Sequence, residues 1–165
     1  MPLFPLSAHL LPGGRLSLRI FEPRYVRMVK EACANNTGFG VCMINAKGSK
    51  ELNQHILPIG TYAKVVDFDL LPEKDELRIG ECEWLSEWTL PADKQLVSPI
   101  NERLIEIFEK YQELRNLYVT PHFDDPIWVI YRWLELLPVN AEQKQLLLQN
   151  NDCVKAISFL TQLVE

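Results

Sequence analysis

The apolar residues of this chain change their period part way along. Up to about Pro99 they come in short β-prone runs between turn formers. Leu16-Ser17-Leu18-Arg19-Ile20-Phe21 begins as an alternating strand, residues 38–44 form a compact apolar strand, and residues 60–68 another. Residues 76–84 alternate polar and apolar, which predicts a strand with one buried face. One helix interrupts this half over residues 22–32: Pro23 stands where a first helical turn tolerates it, and Tyr25, Met28, Val29 and Ala32 share a face. Several short strands with irregular loops point to a small barrel or a folded sheet.

Beyond Pro99 the spacing is that of helices. Ile100, Leu104, Ile107, Phe108 and Tyr111 make one stripe, with Glu102, Arg103, Glu106, Glu109 and Lys110 mostly away from it. Asp124 or Asp125 can cap a helix whose first turn holds Pro126 and whose buried stripe holds Ile127, Ile130, Tyr131, Leu134 and Leu137; Pro138 stops it. Asn140 and Gln143 have capping-box spacing ahead of a further helix, and a last one runs over 152–164 with Val154, Ile157, Leu160 and Leu163 inward. The expected organisation is a β-rich lobe over 1–90, a connecting segment over 91–98 and a helical lobe over 99–165, an α+β chain with its hinge where Pro91 and Pro99 stand.

Composition narrows the function classes. The 165 residues suit one domain, or a small barrel with a helical annex, and at 47% hydrophobic and 24% charged the chain is neither disordered nor a disulfide scaffold. Seventeen basic against twenty-two acidic side chains leave a net charge of −5, which repels a phosphate backbone unless the cations cluster, so nucleic acid is an unfavoured partner. Cys33, Cys42, Cys82 and Cys153 are scattered without C-x-x-C spacing and read as free thiols in a reducing cytoplasm. Charges or prolines interrupt every apolar run before the roughly 18 residues a membrane helix needs, so no membrane association is expected.

Catalytic signatures are missing. There is no Walker loop, no G-x-G-x-x-G opening a helix, and no G-x-S-x-G, and His9, His55 and His122 stand far apart without ligand spacing. No catalytic residue, metal ligand or cofactor is therefore assigned. The carboxylate pairs Asp67 with Asp69 and Glu81 with Glu83 lie two apart on strands, which fits a solvated strand face better than a glycosidase-like dyad. Among the aromatics, Trp88 and Trp128 are the candidates for contact with a partner. Trp128 and Trp133 fall about 140° apart on a helical wheel, so the spacing predicts that only one is central to the core.

The opening Pro2-Leu3-Phe4-Pro5-Leu6, followed by Leu10-Leu11-Pro12-Gly13-Gly14-Arg15-Leu16-Ser17-Leu18-Arg19-Ile20-Phe21-Glu22-Pro23-Arg24-Tyr25, resembles the N-terminal substrate-binding domain of the ATP-dependent Lon proteases. Gly38-Phe39-Gly40-Val41, Ile59-Gly60-Thr61-Tyr62-Ala63, Gly80-Glu81-Cys82-Glu83-Trp84-Leu85 and the helical end from Leu136 to Asp152 extend the likeness over almost the whole chain. Residue chemistry agrees at several points. Pro5 suits an edge strand, Pro12-Gly13-Gly14 a sharp turn in which either glycine takes φ > 0, and Phe21 and Tyr25, four apart, a staple between helix and sheet. Glu22 favours the positive end of the helix, whereas Arg24 does not and is expected to pair elsewhere.

The resemblance implies a PUA-like β-barrel followed by a helical bundle. It also implies a peptidase-type family label without peptidase activity, since the ATPase and Ser–Lys protease domains have no room here. One departure stands out: only Glu73-Lys74-Asp75 separate two segments between which the family has a hairpin, so either the barrel is trimmed or a segment between Pro72 and Glu73 is absent, the second being favoured.

The function this implies is non-catalytic capture of an unfolded or degron-bearing polypeptide, or of a partner protein. Glu22, Arg24, Tyr25, Trp88 and Trp128 are the candidate contact residues. Two alternatives stand beside it: an RNA-binding PUA-like module whose basic face would be Arg15, Arg19, Arg24, Arg27 and Lys30, and a hydrolase assembled from dispersed residues.

Overall fold

The computed structural model describes residues 1–49, 54–66, 83, 85, 87–91, 98–150 and 152–164. The chain divides into two compact units, one made of Met1–Leu10 with Ser17–Trp84 and the other of Leu11–Leu16 with Leu85–Glu165.

In the first unit, strand β1 (Leu3–Leu6), helix α1 (Pro23–Ala34), strand β2 (Phe39–Ile44) and strand β3 (Ile56–Ala63) follow in order. The sheet order is β1-β2-β3, with β1 parallel and β3 antiparallel to β2. β2 is buried at Phe39, Gly40, Val41, Cys42 and Met43 in succession, as a strand covered on both faces must be. α1 lays Tyr25, Met28, Val29 and Ala32 against Phe4, Phe39 and Val41 to form the core, as its 3.6-residue spacing predicts. Pro5 pairs with Cys42 from β1, an edge strand of the described sheet, where its missing N–H costs no ladder bond between two neighbours.

The strand readings need three corrections. Residues 16–21 form no strand: Leu18 is 42% exposed, and Ile20 only packs from outside against the core, because the segment lies beside the sheet without entering its ladder. β3 starts at Ile56, four residues ahead of the expected strand, because the register irregularity between Cys42 and Ile44 gives Pro58 a place where no regular ladder bond is asked of it. Among the described residues the sheet is open and three-stranded, so barrel closure is not seen. The strand expected at 76–84, the Asp67–Asp69 pair and the junction between Pro72 and Glu73 lie outside the described residues, apart from Glu83, which is exposed.

The second unit contains α2 (Ser98–Lys110), α3 (Gln112–Asn116), α4 (Pro126–Leu136), α5 (Ala141–Leu148) and α6 (Val154–Val164). Asp125 caps α4 by accepting from the Ile127 N–H at 2.9 Å and the Trp128 N–H at 3.3 Å. Asn140 Oδ1 accepts from the Gln143 N–H at 2.8 Å, and Asp152 Oδ1 from the Val154 N–H at 3.0 Å, so each of these helices starts on a side-chain cap. Tyr111 leaves the α2 stripe to become the residue before α3 and is exposed, and Leu163 is exposed at the end of α6.

α4 is the central helix. Every residue from Trp128 to Leu134 is buried, so both Trp128 (5% exposed) and Trp133 (9%) are core, against the expectation that only one could be. The helical wheel assumes a single covered face. Here Trp128 meets Phe108, Tyr118 and Phe123, while the Trp133 indole N–H donates to the Ile100 carbonyl at 2.9 Å on another side.

Candidate functional site

The first unit carries a groove of about 400 Å³ at the N-terminal end of α1. The helix begins at Pro23, whose fixed φ suits the first turn, with Glu22 in extended conformation before it. The Glu22 carboxylate does not cap the helix. Instead it accepts from the Arg24 guanidinium, at 2.9 Å from Nε and also from Nη2. Arg24 thus pairs within the same turn, two residues away, and its guanidinium lies 5.0 Å from the centre of the Tyr25 ring. Tyr25 in turn packs on Phe4, ring centres 4.4 Å apart, which fixes the floor of the groove to β1.

Leu6, Leu18, Ile20, Phe21 and Ile44 supply the apolar walls, with Arg19 and His55 completing the lining. Phe21 is 84% exposed, Leu18 42% and Ile44 37%. The expected staple between Phe21 and Tyr25 does not form: Tyr25 faces the core, and Phe21, ahead of the helix, faces solvent. The cleft thus gathers exposed large apolar side chains beside the internally paired Glu22 and Arg24.

Sequence reasoning finds Glu22, Arg24 and Tyr25, and the structure brings all three to this groove. It missed Leu18, Phe21 and Ile44. Leu18 falls in the segment whose alternation predicts a strand, and nothing in the local pattern marks Phe21 as solvent-facing. Trp88 and Trp128, by contrast, are buried in the second unit. Trp88 stacks on Tyr131 at 4.6 Å and donates its indole N–H to the Asn150 carbonyl at 2.8 Å; Trp128 packs in the aromatic cluster around Phe108. Their surfaces are spent on core packing.

The second unit also holds a buried ionic cluster. Arg132, 1% exposed, donates to Glu135 from Nε at 2.6 Å and from Nη2 at 2.9 Å, and Nη2 also reaches the carbonyls of Leu11 at 3.3 Å and Pro12 at 3.0 Å. Glu135 Oε1 accepts from the Leu11 N–H at 2.7 Å, and the Tyr118 hydroxyl from the Arg15 N–H at 3.2 Å. Burial pushes the Glu135 carboxyl up, against the pull of Arg132, and lowers the buried Lys144 ammonium to about 8, with Glu135 opposing that drop. Perturbed titrations can mark an active site. Here Arg132 Nε and Nη2 and the Glu135 carboxylate are engaged with one another and with the main chain of Leu11 and Pro12, while Arg132 Nη1 is buried without a hydrogen-bond partner, so the cluster acts as a clamp on that turn.

The basic face drawn from the N-terminal cations is interrupted. Arg24 is paired with Glu22, and Arg27 lies 3.7 Å from Glu31 one turn along α1. Among the described residues no three His, Cys, Asp or Glu side chains gather as a metal site, and no helix is long and apolar enough to cross a membrane.

Residues 1–79 match the family model of the ATP-dependent protease La (LON) substrate-binding domain. Among solved structures, the crystal structure of a Lon N-terminal domain protein from Xanthomonas campestris is similar, with a TM-score of 0.59 and 26% identity over 100% of this chain and 98% of that one. No curated protein matches the sequence. The family match over residues 1–79 and the structural likeness along the length of the chain together make this chain similar to the Lon N-terminal domain.

Proposed function

We propose that this chain is a non-catalytic polypeptide-binding module, and that the groove at the start of α1 takes apolar segments of unfolded or degron-bearing chains. The observation that carries this reading is the collection of Leu18, Phe21 and Ile44 at the surface of one cleft whose floor is Tyr25 on Phe4. The family description, a substrate-binding domain, supports it. Binding by one such module is weak, because an unfolded segment loses conformational entropy when it is captured. Closure of the sheet into a PUA-like barrel belongs to the same proposal, as the fold the family resemblance implies. So does a cytoplasmic location, supported by the free thiols of Cys33, Cys42 and Cys153.

The test is fluorescence anisotropy of a labelled, permanently unfolded polypeptide titrated with the protein and with its Phe21→Asp variant. Saturable binding that survives moderate salt and weakens about tenfold in the variant is expected, since burying a phenylalanine contributes about 1.5–3 kcal/mol. Phe21 is exposed, so the variant should fold as the parent does. No binding of the polypeptide by the parent protein would overturn the reading.

A further inference from the structure

The charges in the groove do not cancel among the described residues. Among its described lining residues, the side chains that carry or can carry charge near neutral pH are Arg19, Glu22, Arg24 and His55. Glu22 is engaged by Arg24. Arg19 is exposed, stands between Leu18 and Ile20 on the groove wall, and makes no ion pair with a described residue. Glu22, at the N-terminal end of α1, spends its carboxylate on Arg24 and not on the helix N–H groups, and the first turn itself has no acidic residue. The result is a cleft of positive residual charge with apolar walls, in a chain whose net charge is −5.

We propose that the groove selects polypeptide segments in which a bulky apolar side chain is flanked by an acidic one, the apolar group seating against Leu18 and Phe21 and the carboxylate meeting Arg19. This rests on the polypeptide-binding reading and adds the class of segment bound. The overall negative charge does not forbid it, because at physiological salt charges beyond about 8 Å are screened while a contact pair is not. An RNA strand fits the groove less well, since it needs several cations along its backbone and finds one unpaired.

Three labelled peptides test the inference, identical except that a central Phe is flanked by Asp, by Ser or by Lys. Each is titrated by anisotropy at low and moderate salt against the parent protein, Arg19→Gln, Arg19→Glu and Phe21→Asp. The expected order for the parent is Asp tighter than Ser tighter than Lys, with about two- to five-fold between steps, as one exposed ion pair provides. The steps should shrink as salt rises, vanish in Arg19→Gln and reverse in Arg19→Glu, while Phe21→Asp weakens even the Ser peptide.

Equal binding of all three peptides, still lost in Phe21→Asp, would overturn the charge preference and leave the polypeptide-binding reading standing. An order that persists in Arg19→Gln would overturn the role of Arg19. Binding of none of the peptides would overturn both. A labelled RNA hairpin bound in their place, or a dimer seen by sedimentation that Phe21→Asp dissolves, would overturn the assigned occupant.

Discussion

Lys144 shows how a single residue couples the fold to pH. Its ammonium is buried on α5, with Glu135 the charge that faces it, and its pKa falls to about 8 from 10.5 because burial disfavours the charged form. The unfolded chain therefore binds this proton more tightly than the folded one. Between about pH 8 and 10 stability should rise with pH, after a full penalty below 8 of order 3 kcal/mol if the whole shift is expressed. Above pH 10 the trend is opposed by Tyr131, whose hydroxyl is pushed up to about 12 by burial, so folding is disfavoured as the unfolded tyrosine ionises. Urea midpoints at pH 7, 8 and 9 should climb for the parent protein, and this climb should be absent in Lys144→Met; from about pH 9 upward the Cys153 thiol, which burial pushes up, also opposes the rise. At the same scale, Gly13 adopts φ +74, while a Cβ on Gly14 would fall 2.2 Å from Glu135 Oε1. Both glycines were legible as turn formers. Only the structure shows that Gly14 is small because a carboxylate lies against it.

At the scale of elements, the caps were the most readable features. Asp125, Pro126 and Asn140 occupy the positions that their chemistry predicts, because a cap is a contact between residues two or three apart. Asp125→Ala should lower stability by about 1 kcal/mol, seen as a reduced urea midpoint at unchanged slope. The strand limits were less readable. Residues 16–21 have strand-like alternation and form no strand, and β3 includes Pro58, which local rules place outside a regular ladder. Pairing partners decide such cases, and they lie far away in sequence.

At the scale of the whole molecule, six residues of the N-terminal motif belong with the helices. Leu11–Leu16 supplies the carbonyls that Arg132 meets and the N–H that Glu135 accepts, so the helical unit is completed by chain from far upstream. A polypeptide of residues 85–165 alone would leave these buried charged groups short of partners. It should unfold at a lower urea concentration than the helical unit does in the full chain, by about 1–3 kcal/mol; equal midpoints by circular dichroism would show that the turn contributes nothing. The candidate site follows the same logic. Glu22, Arg24 and Tyr25 were found through a family motif, whereas Phe21 and Leu18 became part of it only when the segment ahead of α1 proved to lie at the surface.

The sequence by itself determined the α+β class, the helical period of the second half, the caps, the edge position of Pro5 and the likeness to a family, because these rest on local chemistry and on an ordered motif. Tertiary structure alone decided that Trp88 and Trp128 are core, that Arg24 turns back to Glu22, and that Phe21 faces solvent. Burial and pairing are properties of neighbours distant along the chain, and periodicity reports the faces of an element without saying how many of them will be covered.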